Sequence, residues 1–178
     1  MDDYPQRIVV MGVTASGKTS VGRAMAERLG FEFRDSDDLH PRANVEKMSR
    51  GEPLDDDDRQ PWLDRVGEAL AEADGIVVAC SALKRTYRER ILARAPDAVF
   101  VVLHGDRNLL SERMGGRRDH FMPTSLLDSQ LETLEMPHGD EPAVTVGVQP
   151  SIETIVQRAI ARVGTLYEDH VAPAQAAE

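Results

Sequence analysis

The 178 residues include a single cysteine, Cys80, so no internal disulfide can form. A chain without disulfides is expected in a reducing compartment, the cytoplasm. Positive charge is scarce: 21 Lys and Arg stand against 31 Asp and Glu, a formal net charge of −10. That deficit argues against general nucleic-acid binding, which needs a basic face to neutralise phosphates. It leaves room for a local basic pocket and an anionic small molecule. Long apolar runs are missing too. None approaches the ~20 residues needed to span a bilayer, so no membrane partner is expected. The first residues, Met1-Asp2-Asp3-Tyr4-Pro5, are acidic and hold no apolar signal segment. There is no internal repeat and no linker-like stretch. One domain is therefore expected over residues 1–170, with 171–178 as a frayed tail.

What the chain does contain is an alternation of apolar runs and helical stretches. Strands are predicted at Arg7–Met11, Phe31–Asp35, Gly75–Cys80, Ala98–Leu103 and, more weakly, Ala143–Val148. The third and fourth are almost wholly apolar, as parallel strands covered on both faces must be. Ser16–Leu29 reads as a helix, with Val21, Met25 and Leu29 recurring on one face. Further helices are predicted near 58–73, 84–94, 106–115, 124–134 and 151–165. The pattern specifies an α/β fold: three layers around a mostly parallel five-stranded sheet.

Gly12-Val13-Thr14-Ala15-Ser16-Gly17-Lys18-Thr19 fits G-x-x-x-x-G-K-[ST] at every fixed position, after a strand and at the start of a helix. Glycines let backbone N–H groups wrap phosphate oxygens, and the helix N-terminus adds partial positive charge. Gly12, Thr14, Ala15, Ser16, Gly17, Lys18, Thr19 and Ser20 are therefore the candidate nucleotide contacts. Lys18 supplies a cation for the β- and γ-phosphates of ATP, and the Thr19 hydroxyl is placed to ligate Mg²⁺.

The chain lacks the Asn-Lys-x-Asp segment that reads guanine, which sets aside a GTPase switch. No apolar strand ends in the aspartate of a mechanical ATPase; Asp106 reads as a helix cap. Two classes remain, a small-molecule kinase and a regulatory nucleotide-binding module. A kinase needs acceptor-binding groups, a carboxylate to orient the accepting hydroxyl, and mobile arginines. Asp37, just past the second strand, lies where ligands bind in open α/β sheets and is the candidate base. Lys84 and Arg88, one helical turn apart after the third strand, are expected to share a face. They, or Arg59, are candidates to capture an anionic group. The four consecutive aspartates at 55–58 read as a helix start rather than a metal cluster. Trp62 and Leu63 read as packing residues. The segment 113–123, with Arg113, Gly115, Gly116, Arg117 and Arg118, reads as a small lid, whose arginines reach the triphosphate when closed.

Several segments, in order from about residue 7 to 135, resemble the gluconokinase family. They are Met11–Thr19, Asp37-Asp38-Leu39-His40-Pro41, Asn44–Met48, Gly51–Arg59 with Pro61–Leu63, Ala79–Lys84 with Tyr87-Arg88, His120–Met122, and Gln130–Glu135. The phosphate loop fits many families; Asp-Asp-Leu-His-Pro together with Cys-Ser-Ala-Leu-Lys is far more specific. The resemblance implies ATP with Mg²⁺, phosphorylation of D-gluconate to 6-phospho-D-gluconate, and a homodimer. It also implies a substrate pocket built from Asp37, His40, Arg59, Ser81, Lys84 and Arg88, with His120 beside it. Arg113 and Arg117 would meet the nucleotide, Arg117 assisting transfer. Shikimate kinase is the nearest rival, through Asp35-Ser36-Asp37. That family shows a Gly-Gly-Gly corner where this chain has Cys80–Lys84. A nucleotide kinase is a further rival, but the chain has only four Phe, three Tyr and one Trp, and no clear base-stacking ring in the acceptor segments.

Overall fold

The computed structural model describes residues 4–115 and 124–168. Arg117, Arg118, His120, most of the expected lid and the tail at 171–178 lie outside the described residues. The strands are β1 (Arg7–Met11), β2 (Glu32–Asp35), β3 (Ile76–Ala79), β4 (Val99–His104) and β5 (Ala143–Gly147). All five pair in parallel, in the order β2-β3-β1-β4-β5. Seven helices accompany them among the described residues: α1 (Lys18–Leu29), α2 (Arg42–Ser49), α3 (Asp56–Glu72), α4 (Arg85–Leu92), α5 (Arg107–Gly115), α6 (Thr124–Thr133) and α7 (Ile152–Leu166).

Alternation along the central strands divides the core. Ile8 and Val10 of β1, with Val99 and Val101 of β4, face Val21 and Met25 of α1 and Ile155, Val156 and Ala159 of α7. Val9 and Met11, with Val78, Phe100 and Val102, face Trp62, Leu63, Val66 and Leu70 of α3 and Ile91 of α4. A strand coated on both faces has no polar side to alternate with, which is why β3 and the Val99–Leu103 run of β4 are wholly apolar.

Local chemistry sets the ends of the helices. Asp55 caps α3 by accepting from the Asp58 N–H, and Asp58 returns the bond to the Asp55 N–H, a reciprocal capping box. The acidic run is thus a helix start. Gly30 ends α1 at φ 72°, its N–H reaching the carbonyls of Ala26 and Glu27. Asp106 accepts from the Leu109 N–H at the start of α5, the capping role read from the sequence. The sequence reading contained no counterpart of α2. That helix is eight residues long, and its apolar side chains Val45 and Met48 stay exposed, so no core-facing periodicity marks it.

Crossover directions position the cleft. From β1 the chain passes to the edge strand β2, whereas from β3 it crosses β1 to reach β4. The β1 loop leads into α1 on one face of the sheet and the β3 loop into α4 on the other, so the loops at these neighbouring carboxyl ends part to opposite faces and open a crevice between them.

Candidate active site

The loop from β1 to α1 has the backbone that phosphate binding requires. Gly12 sits at φ 146°, where a Cβ would come within 2.8 Å of the Leu103 carbonyl oxygen and of Ser16 Oγ. Gly17 is left-handed at φ 92°, and Ala15 at φ 63°, a conformation alanine rarely adopts. Strain of this kind is held where a loop is shaped for a ligand. Ser16 Oγ is buried and is the one such side-chain atom without a hydrogen-bond partner among the described residues. A strained loop, a cradle that a Cβ would fill and an orphaned hydroxyl together fit a polyphosphate chain. Lys18 folds back on this loop, its Nζ 3.0 Å from the Val13 carbonyl oxygen.

At the rim, the Thr19 hydroxyl donates to Asp35 Oδ2 at 2.9 Å, joining the start of α1 to the end of β2. A hydroxyl and one carboxylate suit Mg²⁺, which keeps several waters and takes its other oxygens from phosphates. No group of three or more His, Cys, Asp or Glu forms a metal cluster among the described residues. Asp35 Oδ1 also accepts the Asp37 N–H, starting a 3-10 turn over Ser36–Leu39 that presents Asp37. Asp37 opens to solvent at the cleft. Partial loss of hydration raises its carboxyl above the ordinary value, and the neighbouring Asp35 charge adds to this, against His40 and Lys18. A carboxylate so placed can accept a proton from a hydroxyl.

The acceptor side is built from the 3-10 turn, α2, the start of α3 and the β3–α4 corner. His40 stacks on Trp62 with ring centroids 4.5 Å apart and planes 12° from parallel. Trp62 Nε1 donates to the Ser36 carbonyl at 2.7 Å, so the ring that sequence reading treated as packing also fixes the turn carrying Asp37. Ser81 touches the phosphate loop through its carbonyl, which accepts the Gly12 N–H at 3.4 Å. Ala82 next to it is left-handed at φ 44°.

The cations do not stand as expected. Lys84 is the N-cap of α4, and its Nζ bonds both oxygens of Asp56, at 3.1 and 2.9 Å. Tyr87 Oη donates to the same carboxylate. These two bonds pull the Asp56 carboxyl below its usual range, and Asp56 raises Lys84 in turn. Arg59 sits 3.9 Å from Asp56 and 6.0 Å from the Tyr87 ring centroid, with no side-chain hydrogen bond among the described residues. Arg88 does not share a solvent face with Lys84. It is 0% exposed, gripped by Glu141 at 2.6 and 3.1 Å and by the carbonyls of Ala82 and Leu83. With four of its five N–H donors engaged inside the core and no surface exposed, Arg88 stands as the anchor of the β3–α4 corner rather than as a solvent-facing cation.

Arg113 Nη2 donates to the Val148 carbonyl at 2.5 Å, which brings the end of α5 to the end of β5. Three contributors stand inside recognisable segments but have no individual role assigned from the sequence. Gln130 of α6 accepts the Thr14 N–H at 2.7 Å across 116 positions of sequence. Asn44 is buried beneath His40, and Asp35 bonds Thr19 at the rim of the loop. Only spatial proximity singles out the first two. Cys80 lies beneath the site, and burial pushes its thiol up to about 11, which leaves it unreactive.

A family model described as an AAA domain matches residues 8–137. The gluconokinase of Gluconobacter oxydans is 45% identical over 160 residues, covering 88% of this chain and 90% of that protein. The thermoresistant gluconokinase of Escherichia coli is 40% identical, covering 85% and 90% respectively. A solved gluconokinase structure from Sinorhizobium meliloti superposes with a TM-score of 0.85 at 51% identity, over 93% of this chain and 95% of that one. Shikimate kinase from Aquifex aeolicus, at 15% identity and a TM-score of 0.59, shares the fold alone.

Proposed function

The chain belongs to the gluconokinase family, and we propose that it transfers the γ-phosphoryl group of ATP to D-gluconate, giving 6-phospho-D-gluconate and ADP. What supports this reading is a run of neighbours beside the phosphate-shaped loop: Lys18 and His40 bear on Asp37, Arg59 bears on His40, and Arg59 and Lys84 both pair with Asp56.

The P-loop N–H groups and Lys18 hold the triphosphate, with Arg113 and Arg117 as the arginines that meet its charge. Thr19 and Asp35 would hold Mg²⁺, which would offset the negative charge of the phosphates. Arg59 and Lys84 receive the gluconate carboxylate, while His40, Ser81 and His120 read its hydroxyls. Asp37 accepts a hydrogen bond from the terminal hydroxyl and takes its proton as the oxygen attacks phosphorus. The new O–P bond forms as the bond to the bridging oxygen breaks, and that electron pair leaves on ADP.

We place the reaction in the cytoplasm and assign a homodimer, on the strength of the family and of an acidic chain with one cysteine. No helix among the described residues is long and apolar enough to cross a membrane. The test is ADP release with ATP and Mg²⁺ across D-gluconate, shikimate, nucleoside monophosphates and no acceptor. Stimulation by gluconate alone is the expected result. Stimulation by shikimate alone overturns the substrate, and ATP binding without stimulation by any acceptor favours a regulatory module.

A further inference from the structure

Asn44 is a buried polar side chain, 4% exposed, in α2. Its Nδ2 lies 2.8 Å from the Asp58 carbonyl oxygen and 3.4 Å from His40 Nδ1. A carbonyl only accepts, so the Asp58 contact fixes the –NH₂ end of the amide on this side. The second hydrogen of the same nitrogen then serves His40. An amide nitrogen cannot accept, so Nδ1 must be the bare nitrogen of the ring. The stack on Trp62 holds the ring plane, and the Trp62 bond to Ser36 holds the indole.

We infer that Asn44 is a positioning residue that locks His40 in the neutral Nε2–H tautomer, making it a directional hydrogen-bond donor to a substrate hydroxyl rather than a cation for the carboxylate. The charged groups that bear on His40 are Asp37 from the 3-10 turn and Arg59 from α3. Burial lowers the imidazole below its ordinary value; Asp37 opposes this and Arg59 adds to it. A neutral ring beside Arg59 also avoids setting two cations side by side. The work divides accordingly: Arg59 and Lys84 take the charged end of a sugar acid, and His40 reads an uncharged oxygen along its chain. The second half of the inference rests on the gluconate reading; the tautomer does not.

The experiment is ¹⁵N long-range correlation NMR of the ligand-free, full-length protein, with gluconate kinetics on variants. The wild type should show the Nε2–H pattern at neutral pH and titrate below the usual ~6.5 of histidine. Asn44→Leu removes the donor and should give mixed tautomers. Asn44→Asp, which can only accept at neutral pH, should move the proton to Nδ1 or charge the ring. His40→Gln places an N–H near the former Nε2 and should keep the gluconate KM within about threefold. His40→Asn and His40→Ala should raise it roughly tenfold, the worth of one hydrogen bond. The histidine variants keep the assay informative if Asn44 variants fail to fold. An Nδ1–H or charged ring in the wild type overturns the inference, as does rescue by His40→Asn equal to that by His40→Gln. Because the spectrum needs no substrate, an Nε2–H ring in a protein that ignores gluconate refutes the substrate reading and leaves the tautomer standing.

Discussion

Replacing Arg88 by methionine tests whether this arginine anchors the fold or binds substrate. The two roles predict opposite signatures. The side chain is 0% exposed and Glu141 5% exposed, joined by two bonds, and two further N–H groups bond the carbonyls of Ala82 and Leu83. Arg88→Met strands a buried carboxylate and two buried carbonyls. Breaking one partner of a buried pair costs about 3–5 kcal/mol. At roughly 2–4 °C per kcal/mol for a chain of this size, Tm should fall by roughly 6–20 °C. Arg88→Met with Glu141→Leu should recover part of that loss, since replacing both charges is often neutral. Recovery should stop short of wild type, because the two carbonyls still lack a donor, at about 1–3 kcal/mol for a buried unsatisfied group. Calorimetry of the three proteins gives the Tm values, and gluconate KM measured well below them gives the kinetics. Burial alone would raise the Glu141 carboxyl, but the bonds from Arg88 and the His138 N–H outweigh it and hold it below the ordinary range. The pair's stabilisation is therefore present above the unfolded carboxylate value of ~4.3 and is lost as pH falls through the lowered folded value. The stability gap between wild type and the double variant should narrow in acid. An Arg88→Met protein with wild-type Tm and a raised gluconate KM would refute the reasoning and return Arg88 to the substrate pocket.

Three further outcomes are expected. Asp37→Asn should keep ATP binding and lower kcat by roughly 10²–10⁴-fold, the usual worth of a positioned base; near-normal turnover removes Asp37 from that role. Because partial burial and Asp35 raise the Asp37 carboxyl, the wild-type rate should climb through an acid limb lying above the ordinary aspartate value of ~3.9. That limb should vanish from the residual rate of Asp37→Asn. Asp35→Asn should raise the Mg²⁺ concentration for half-maximal rate by roughly 10–100-fold, the effect typical of a group that orients a metal ligand; an unchanged Mg²⁺ dependence places the ion elsewhere. Asp56→Asn frees Lys84 and Tyr87 from an internal carboxylate and should lower the gluconate KM with little change in kcat. A higher KM would mean that Asp56 holds Lys84 in its working pose.

Legibility in the sequence followed the reach of each interaction. The P-loop, the capping box at Asp55–Asp58 and the five strands are local patterns, in which composition and spacing nearly determine conformation. The two strongest strand predictions, over Gly75–Cys80 and Ala98–Leu103, differ from β3 and β4 by one residue at either end. Legibility failed where a side chain's partner lies far along the chain. Lys84 and Arg88 look equivalent by helical spacing, yet one caps the helix and the other is drawn inward by Glu141, 53 positions later. Gln130 reaches the Thr14 peptide by the same long-range logic, and nothing in its own segment announces that bond. Helix α2 was missed because what it buries is an amide, Asn44, rather than an apolar stripe.

The central place of β1 has a consequence for synthesis. Of the five described strands it is made first, and its partners β3 and β4 pair with it only from Ile76 and Val99 onward. Translation at ~5–20 residues per second leaves Ile8–Met11 without either neighbour for several seconds, and without the second for several more. During that time only α1, α2 and α3 can cover the growing chain. The nascent protein must then be most exposed to aggregation or chaperone capture before β3 emerges. Slowing translation ahead of Ile76 should lower soluble yield more than slowing it after His104.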